Sequence, residues 1–329
     1  MIKSNTAERA ADVSAAAGSS AGLNTSFGDG MRTLAVALGA TALSAVTVPA
    51  QGGLIDSLTN EPSHRALAGA MQVGGTIANQ YGGAAVGLRT TRFGVDQNLT
   101  SITLSDRFML TALHGVTRVL DTNSANGILG GCSLEIYTGP NGTTDRRQIR
   151  QVLRIITFAG AAANDPSRPD YCVLELASPL ENVRPIVITN AVIGANSRTT
   201  GYGSIAEIGG TPVRDLVARG GFAPIDTFTS IFNASYYKGL SFAPTINGPF
   251  NQKGQNGDSG SPQVIEGSGV WGMSIAISSG TGATGFTYAL KLDQPEVYGN
   301  IVTYVPSPGA GTLALTSAGI LAYRRRREN

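Results

Sequence analysis

Residues 256–262 read Asn-Gly-Asp-Ser-Gly-Ser-Pro, a single hydroxyl among small residues with a carboxylate directly before it. An alcohol is a weak nucleophile at neutral pH, so Ser259 becomes reactive only if other parts of the chain activate it. Acyl transfer by a serine asks for a base to take the hydroxyl proton and a carboxylate to hold that base in the right tautomer. It also asks for N–H donors to meet the charge that develops on the attacked carbonyl oxygen. The chain offers one candidate for each part. His114 lies near the end of "FMLTALHG", where an apolar strand reaches a turn, so its imidazole is expected at a strand end. Asp170 opens "DYCVLELASPL", a carboxylate at the mouth of a buried strand. Exclusion of water there strengthens a hydrogen bond to an imidazole. Ser259 is the candidate nucleophile, and the surrounding glycines let the backbone N–H groups of Gly257 and Ser259 serve as candidate oxyanion donors. Each piece alone also has an ordinary reading, as a structural histidine after a strand or as one more glycine-rich turn.

Positioning these groups falls to short strands. From about Val73 to Tyr304 the chain alternates β-rich runs with clusters of Gly, Asn, Pro and Ser, with little sustained helical periodicity. The runs 84–90, 99–104, 107–112, 133–138, 149–157, 171–176, 184–188, 213–219, 263–266, 270–277 and 286–291 read as strands. Such spacing indicates an all-β sandwich or barrel. No repeat of fixed period is visible, and "FAGAAANDPSRPD" at 158–170 is a long connection suited to joining two halves.

Composition agrees: 42% hydrophobic residues and 6% aromatics are ordinary for a globular chain, while 43 glycines and 14% charged residues favour strands and turns. The formal net charge of +2 includes the run Arg324 to Arg327, so the remainder has no basic surplus that would argue for nucleic acid, and no nucleic-acid partner is expected. Two matches to G-x-G-x-x-G, at 267–272 and 280–285, are not set between a strand and a helix and read as hairpin turns rather than nucleotide cradles. With two histidines in all, a zinc site would have to draw mostly on Asp or Glu. Cys132 and Cys172 allow either one bridge or two buried thiols acting as small apolar residues.

The candidate residues also arrive in familiar words. "LTALHG", "DYCVLELASPL", "VRPIVI", "TTGYGS" and "GDSGSP" resemble, in the same order, the Leu-Thr-Ala-Ala-His-Cys, Asp-Ile-Ala-Leu-Leu, Arg-Pro-Ile, Thr-Gly-Trp-Gly and Gly-Asp-Ser-Gly-Gly-Pro segments of the chymotrypsin-like serine proteases. The resemblance spans residues 73–304. It implies an all-β fold of two six-stranded antiparallel β-barrels with the active site in the cleft between them, and a serine endopeptidase acting on protein or peptide substrates without a cofactor or metal. His114 would be the general base, Asp170 its orienting carboxylate and Ser259 the nucleophile, with Gly257 and Ser259 forming the oxyanion hole.

The same resemblance puts Lys253 at the base of the primary specificity pocket, where an ammonium would favour an acidic side chain; the competing reading turns Lys253 to solvent. Ser278 and Gly280 would lie on the strand that pairs with substrate backbone, and Gly285 on the far wall. Three departures stand out: Leu113 beside the base in place of alanine, Gly115 in place of cysteine, and Ser261 in place of the second glycine. By the same analogy residues 51–72 are a candidate propeptide or linker, with "QVGG" at 72–75 as a new start whose amine would pair with Asp258; the alternative gives Asp258 a side-chain partner instead.

Both ends carry targeting features. Residues 31–50 combine an arginine, an apolar run and the small residue Ala50, the layout of a secretory signal peptide cut after Ala50. Residues 1–30, rich in Ala, Ser, Gly and Asn, read as a disordered extension or as sequence ahead of a start at Met31. Residues 305–329 place a Pro-x-Pro unit before an apolar stretch and four arginines, and resemble the PEP-CTERM sorting signal of bacterial envelope proteins, with Ser307 where that signal has Glu. The expected partners are therefore a signal peptidase, an exosortase-type processing enzyme and, through the C-terminal segment, the membrane; the expected location is the cell envelope or beyond. The apolar stretch is shorter than the roughly 20 residues a spanning helix needs. The alternative to an enzyme is a protease fold kept as an inactive surface binding or adhesion module.

Overall fold

The computed structural model describes residues 53–55, 62, 65, 85–93, 95–139, 148–181, 183, 186–203, 205–207, 217–226, 232–242, 252–253, 257–277 and 285–305. The strands run in chain order. After β1 (Gly53–Ile55) come β2 (Ala85–Arg92), β3 (Val95–Thr103), β4 (Phe108–Thr111), β5 (Cys132–Tyr137), β6 (Ile149–Ile156) and β7 (Cys172–Leu176). The chain continues through β8 (Asn196–Gly201), β9 (Ile205–Glu207), β10 (Arg219–Asp226), β11 (Tyr237–Phe242), β12 (Gln252–Lys253), β13 (Pro262–Ile265), β14 (Gly269–Ile277) and β15 (Gly285–Lys291). A four-residue helix α1 (Leu113–Val116) follows β4, and α2 (Pro295–Ile301) follows β15.

The expected fold is present: two closed antiparallel barrels of six strands, ordered β2-β3-β4-β7-β6-β5 and β10-β11-β15-β14-β13-β8. A three-stranded sheet sets β1 between β12, antiparallel, and β9, parallel. Closure leaves no open edge in either barrel.

The two-residue period of a strand explains how the first barrel serves two cores. Leu99, Met109, Cys172 and Leu174 point into it, beside Leu88, Leu134 and Ile136. Their neighbours Leu110 and Val173, with Ile102, point outward into a second apolar cluster shared with Tyr237, Val264, Met273 and Leu290 of the other barrel. β7 is therefore apolar on both faces over Cys172–Leu174, before Glu175 turns outward to pair with Arg154, and that short hydrophobic run made it readable in the sequence.

The second barrel departs from expectation. The strands β8, β10 and β11 escape the hydrophobic pattern. β8 reads Asn-Ser-Arg-Thr-Thr-Gly and is nonetheless buried from Ser197 onward. Ser197 finds its partners inside: the Trp271 indole N–H donates to Ser197 Oγ (2.8 Å), Ser197 donates to Gln263 Oε1 (2.9 Å), and Gln263 Nε2 donates to Ser274 Oγ (2.6 Å). The run 184–188 is not a strand where it is described; Ile188 makes one isolated bridge to Val270. Pro185 has no N–H to give a ladder. Of the strand expected at 213–219, residues 213–216 lie outside the described residues; β10 begins at Arg219 and runs on through "RGGFAPID", paired with β8 from Arg219 to Pro224. Nor does 158–170 join two halves: it links β6 to β7 within the first barrel.

Both cysteines are free thiols, Cys172 buried in the first core and Cys132 half-buried. Burial, helped by the charge of Asp170, pushes the Cys172 thiol far above its ordinary range. Among the described residues no helix is long and apolar enough to cross a membrane. The segments 1–30 and 31–50, most of 51–72, and 305–329 beyond Val305 lie outside the described residues.

Candidate functional site

β4 brings the chain to Ala112, still extended at φ −69° and ψ 130°, and α1 turns at once, so His114 sits in the first turn after a barrel strand. Leu113 and Gly115 on either side are buried. Leu113 joins the first core, so the larger side chain is absorbed there. A Cβ on Gly115 would stand 2.9 Å from Leu99 Cδ1, which leaves little room for a bigger residue.

Asp170 ends the loop 158–170 immediately before β7, and its side chain is 3% exposed. The carboxylate accepts from the His114 backbone N–H through Oδ1 (2.9 Å) and from the Asn164 N–H through Oδ2 (3.3 Å). Oδ2 also lies 2.8 Å from His114 Nδ1. An ionised carboxylate only accepts, so Nδ1 carries the imidazole hydrogen and Nε2 is left as an acceptor. Nε2 lies 2.9 Å from Ser259 Oγ. The three candidate residues thus form one relay from carboxylate to imidazole to hydroxyl, the first two from one barrel and the serine from the turn that enters β13 of the other.

The loop that delivers Asp170 is itself anchored. Arg168 donates to the carbonyls of Ala159, Gly160 and Ala161 at 3.0–3.3 Å. Asn164 takes a left-handed φ of 58°, a backbone state uncommon outside glycine, and from it directs its N–H to Asp170. Tyr237 of β11 reaches across from the second barrel, donating its hydroxyl to the Arg168 carbonyl (2.6 Å) while accepting the Asp170 N–H (3.1 Å). Burial, and then the nearby charge of Asp170, raises the Tyr237 phenol well above its ordinary value, so it stays a donor.

The nucleophile turn depends on two glycines. Gly257 stands at φ +96° and Gly260 at φ +92°. A Cβ at Gly257 would come within 2.9 Å of Gly203 Cα, and one at Gly260 within 1.9 Å of the Thr100 carbonyl. Ser261, where a further glycine was expected, is buried and outside the left-handed region. Asp258 is buried and accepts the Gly203 N–H at 2.9 Å. Among the described residues the N–H groups of Gly257 and Ser259 have no backbone acceptor.

Chemically, an imidazole between a carboxylate and a hydroxyl can take the hydroxyl proton as the oxygen attacks a carbonyl, and backbone N–H groups without an acceptor are suited to hold the resulting oxyanion.

The remaining expected residues are placed less fully. Lys253 lies in β12, its backbone paired with Leu54 of β1. Gly285 opens β15 opposite Phe242, two residues before β15 pairs with the end of β14 at Thr287 and Ile277. Ser278 and Gly280 lie outside the described residues. The part of β14 that reaches the nucleophile is Ile275, whose carbonyl is 3.4 Å from Ser259 Oγ. The pairing of β14 with β15 slips between Ser274 and Ala276, a bulge that re-aims the Ile275 carbonyl. Neither Ile275, Tyr237 nor Asn164 carried a sequence signal, since each acts through its backbone or through a fold-dependent contact.

The two closed six-stranded barrels fit the chymotrypsin-like double-barrel fold. A scan against protein-family models and a search of the curated proteins return no match for this chain.

Proposed function

We propose that this chain is a serine endopeptidase that hydrolyses peptide bonds through an acyl-enzyme intermediate. The observation that carries this reading is the position of His114, 2.8 Å from Asp170 and 2.9 Å from Ser259, with both ring nitrogens committed. In the first step Ser259 Oγ attacks the scissile carbonyl carbon while Nε2 takes its proton. Asp170 accepts from Nδ1–H and stabilises the imidazolium. The carbonyl oxygen becomes an oxyanion held by the Gly257 and Ser259 N–H groups. The C–N bond then breaks, the amine leaves with the proton from Nε2, and Ser259 carries the acyl group as an ester. A water, deprotonated by the same Nε2, attacks that ester, and collapse of the second tetrahedral adduct releases the acid and returns the proton to Ser259.

The features resembling a signal peptide at 31–50 and a sorting signal at 305–329 support delivery to the cell envelope. Protein or peptide is the substrate class and the two processing enzymes are the partners. The test is digestion of casein by the purified full-length chain beside its Ser259→Ala and His114→Ala variants. The expected result is turnover by the wild type and a loss of about 10⁴-fold or more in each variant. A folded wild type that cleaves neither casein nor a peptide ester, both as purified and after cleavage ahead of the candidate new start at 72–75, would favour the inactive binding-module reading. Cleavage of the ester alone would favour an esterase.

A further inference from the structure

Thr100 lies within β3 of the first barrel, fully buried, and its polar atoms are engaged around the turn of the second barrel that carries Ser259. Its backbone N–H donates to the Ser259 carbonyl (3.2 Å). Its own carbonyl accepts the Thr111 hydroxyl (2.8 Å). Its side-chain hydroxyl donates to the Gly257 carbonyl (2.8 Å) and accepts the Tyr202 N–H (3.0 Å). A hydroxyl has one hydrogen. Because an N–H already points at this oxygen from Tyr202, that hydrogen goes to Gly257, and the polarity of the relay is fixed.

The consequence falls on the turn. A peptide unit is planar and trans, so fixing a carbonyl fixes the direction of the N–H on its far side. Three successive carbonyls of the turn are held: Gly257 by the Thr100 hydroxyl, Asp258 by the Ser261 N–H (2.8 Å), and Ser259 by the Thr100 N–H. The Gly260 N–H is held in turn by the Ser274 carbonyl (2.8 Å). With the Asp258 carbonyl drawn to Ser261, the Ser259 N–H is turned the opposite way. Gly257 has no side chain to restrain it at φ +96°, and its carbonyl, fixed by Thr100, sets the direction of the Asp258 N–H.

We propose that Thr100 is a positioning residue for the nucleophile turn, its hydroxyl holding the Gly257 carbonyl and its backbone N–H the Ser259 carbonyl, so that the backbone on both sides of Asp258 and Ser259 keeps its orientation. This rests on the reading of Ser259 as the nucleophile. Thr100 itself touches no reacting atom, so its hydroxyl governs the rate of acylation and not the fit of substrate.

The test compares the wild type with Thr100→Val, which keeps the shape and removes the hydroxyl, and Thr100→Ser, which keeps the hydroxyl. Folding is followed by circular dichroism, kinetics with a peptide p-nitroanilide, and local order by amide hydrogen exchange over residues 257–264. Removing a direct oxyanion donor costs about 10²- to 10³-fold in kcat. The indirect change at Thr100→Val is expected to lower kcat by about 10- to 100-fold, with KM within about threefold, and to speed exchange in 257–264. Thr100→Ser should restore both. Overturning results are a Thr100→Val protein within twofold of the wild type, a loss that Thr100→Ser shares in full, or a loss carried by KM alone. If the wild type is inert, the reading of Ser259 fails on its own account. Exchange then decides the lock, because a turn equally protected in all three proteins overturns it. If Thr100→Val does not fold, Thr100→Ser with wild-type kinetics and protection supports the hydroxyl's role, and its impairment on both counts overturns it.

Discussion

At the scale of single residues, activation of Ser259 turns on which imidazole nitrogen of His114 holds the hydrogen. Asp170 is the residue that sets this, because its carboxylate accepts from both the backbone and the ring of His114. Replacing it by asparagine keeps the volume and presents an amide that can donate to Nδ1, which would leave the hydrogen on Nε2 and the serine without a base. Asp170→Asn is therefore expected to lower kcat by about 10⁴-fold with little change in KM. Steady-state kinetics on a peptide ester checks this, and a loss under tenfold would mean that the carboxylate does not orient the base. The triad candidates were legible in the sequence because each sits in a short local word whose chemistry is carried by its own side chain. Thr100 was not: in "NLTSITL" it is one β-branched strand residue among several, and its role exists only once Gly257 and Tyr202 are folded against it.

At the scale of elements, legibility followed burial chemistry. The strands β4 and β7 bury apolar side chains and were readable. β8 buries Ser197, Arg198, Thr199 and Thr200, and a pattern built on hydrophobicity has nothing to count there. Ser197 is explained only by its indole and amide partners on β14 and β13, which are far along the chain. Close packing between strands gives the sharpest prediction at this scale. Gly87 of β2 lies directly opposite Tyr137 of β5, whose ring atoms stand 2.0–2.6 Å from where a Cβ would be. The Tyr137 ring is itself fully buried and stacks edge-on with Tyr202 at 5.5 Å, so it has little space to yield. Gly87→Ala should destabilise the protein by about 1–3 kcal/mol, as overpacked cores do. Urea unfolding measures it, and an unchanged midpoint would contradict the packing described.

At the scale of the whole molecule, the candidate site belongs to neither barrel alone. His114 and Asp170 come from the first barrel and Ser259 from the second, and Tyr237 and Thr100 each cross the junction between them. Buried phenols make this junction sensitive to alkali. Tyr237 and Tyr171 both have ionisation raised above the ordinary value near 10, by burial first in each case. A group whose folded pKa is raised contributes stability that is complete below its unfolded pKa and is lost as pH climbs through the folded value. The urea midpoint should therefore fall as pH rises above about 10 through these two groups, and Tyr237→Phe, which has no phenol to ionise, should show a shallower fall. An identical alkaline limb in the variant would remove Tyr237 from the explanation. The central claim, that the two barrels assemble Ser259 as a nucleophile, is tested most directly by reacting the folded full-length chain with a fluorophosphonate and locating the adduct by mass spectrometry. A single adduct on Ser259, absent in His114→Ala, is expected. A folded chain that leaves Ser259 unmodified, or an adduct that forms as readily without His114, would contradict that claim.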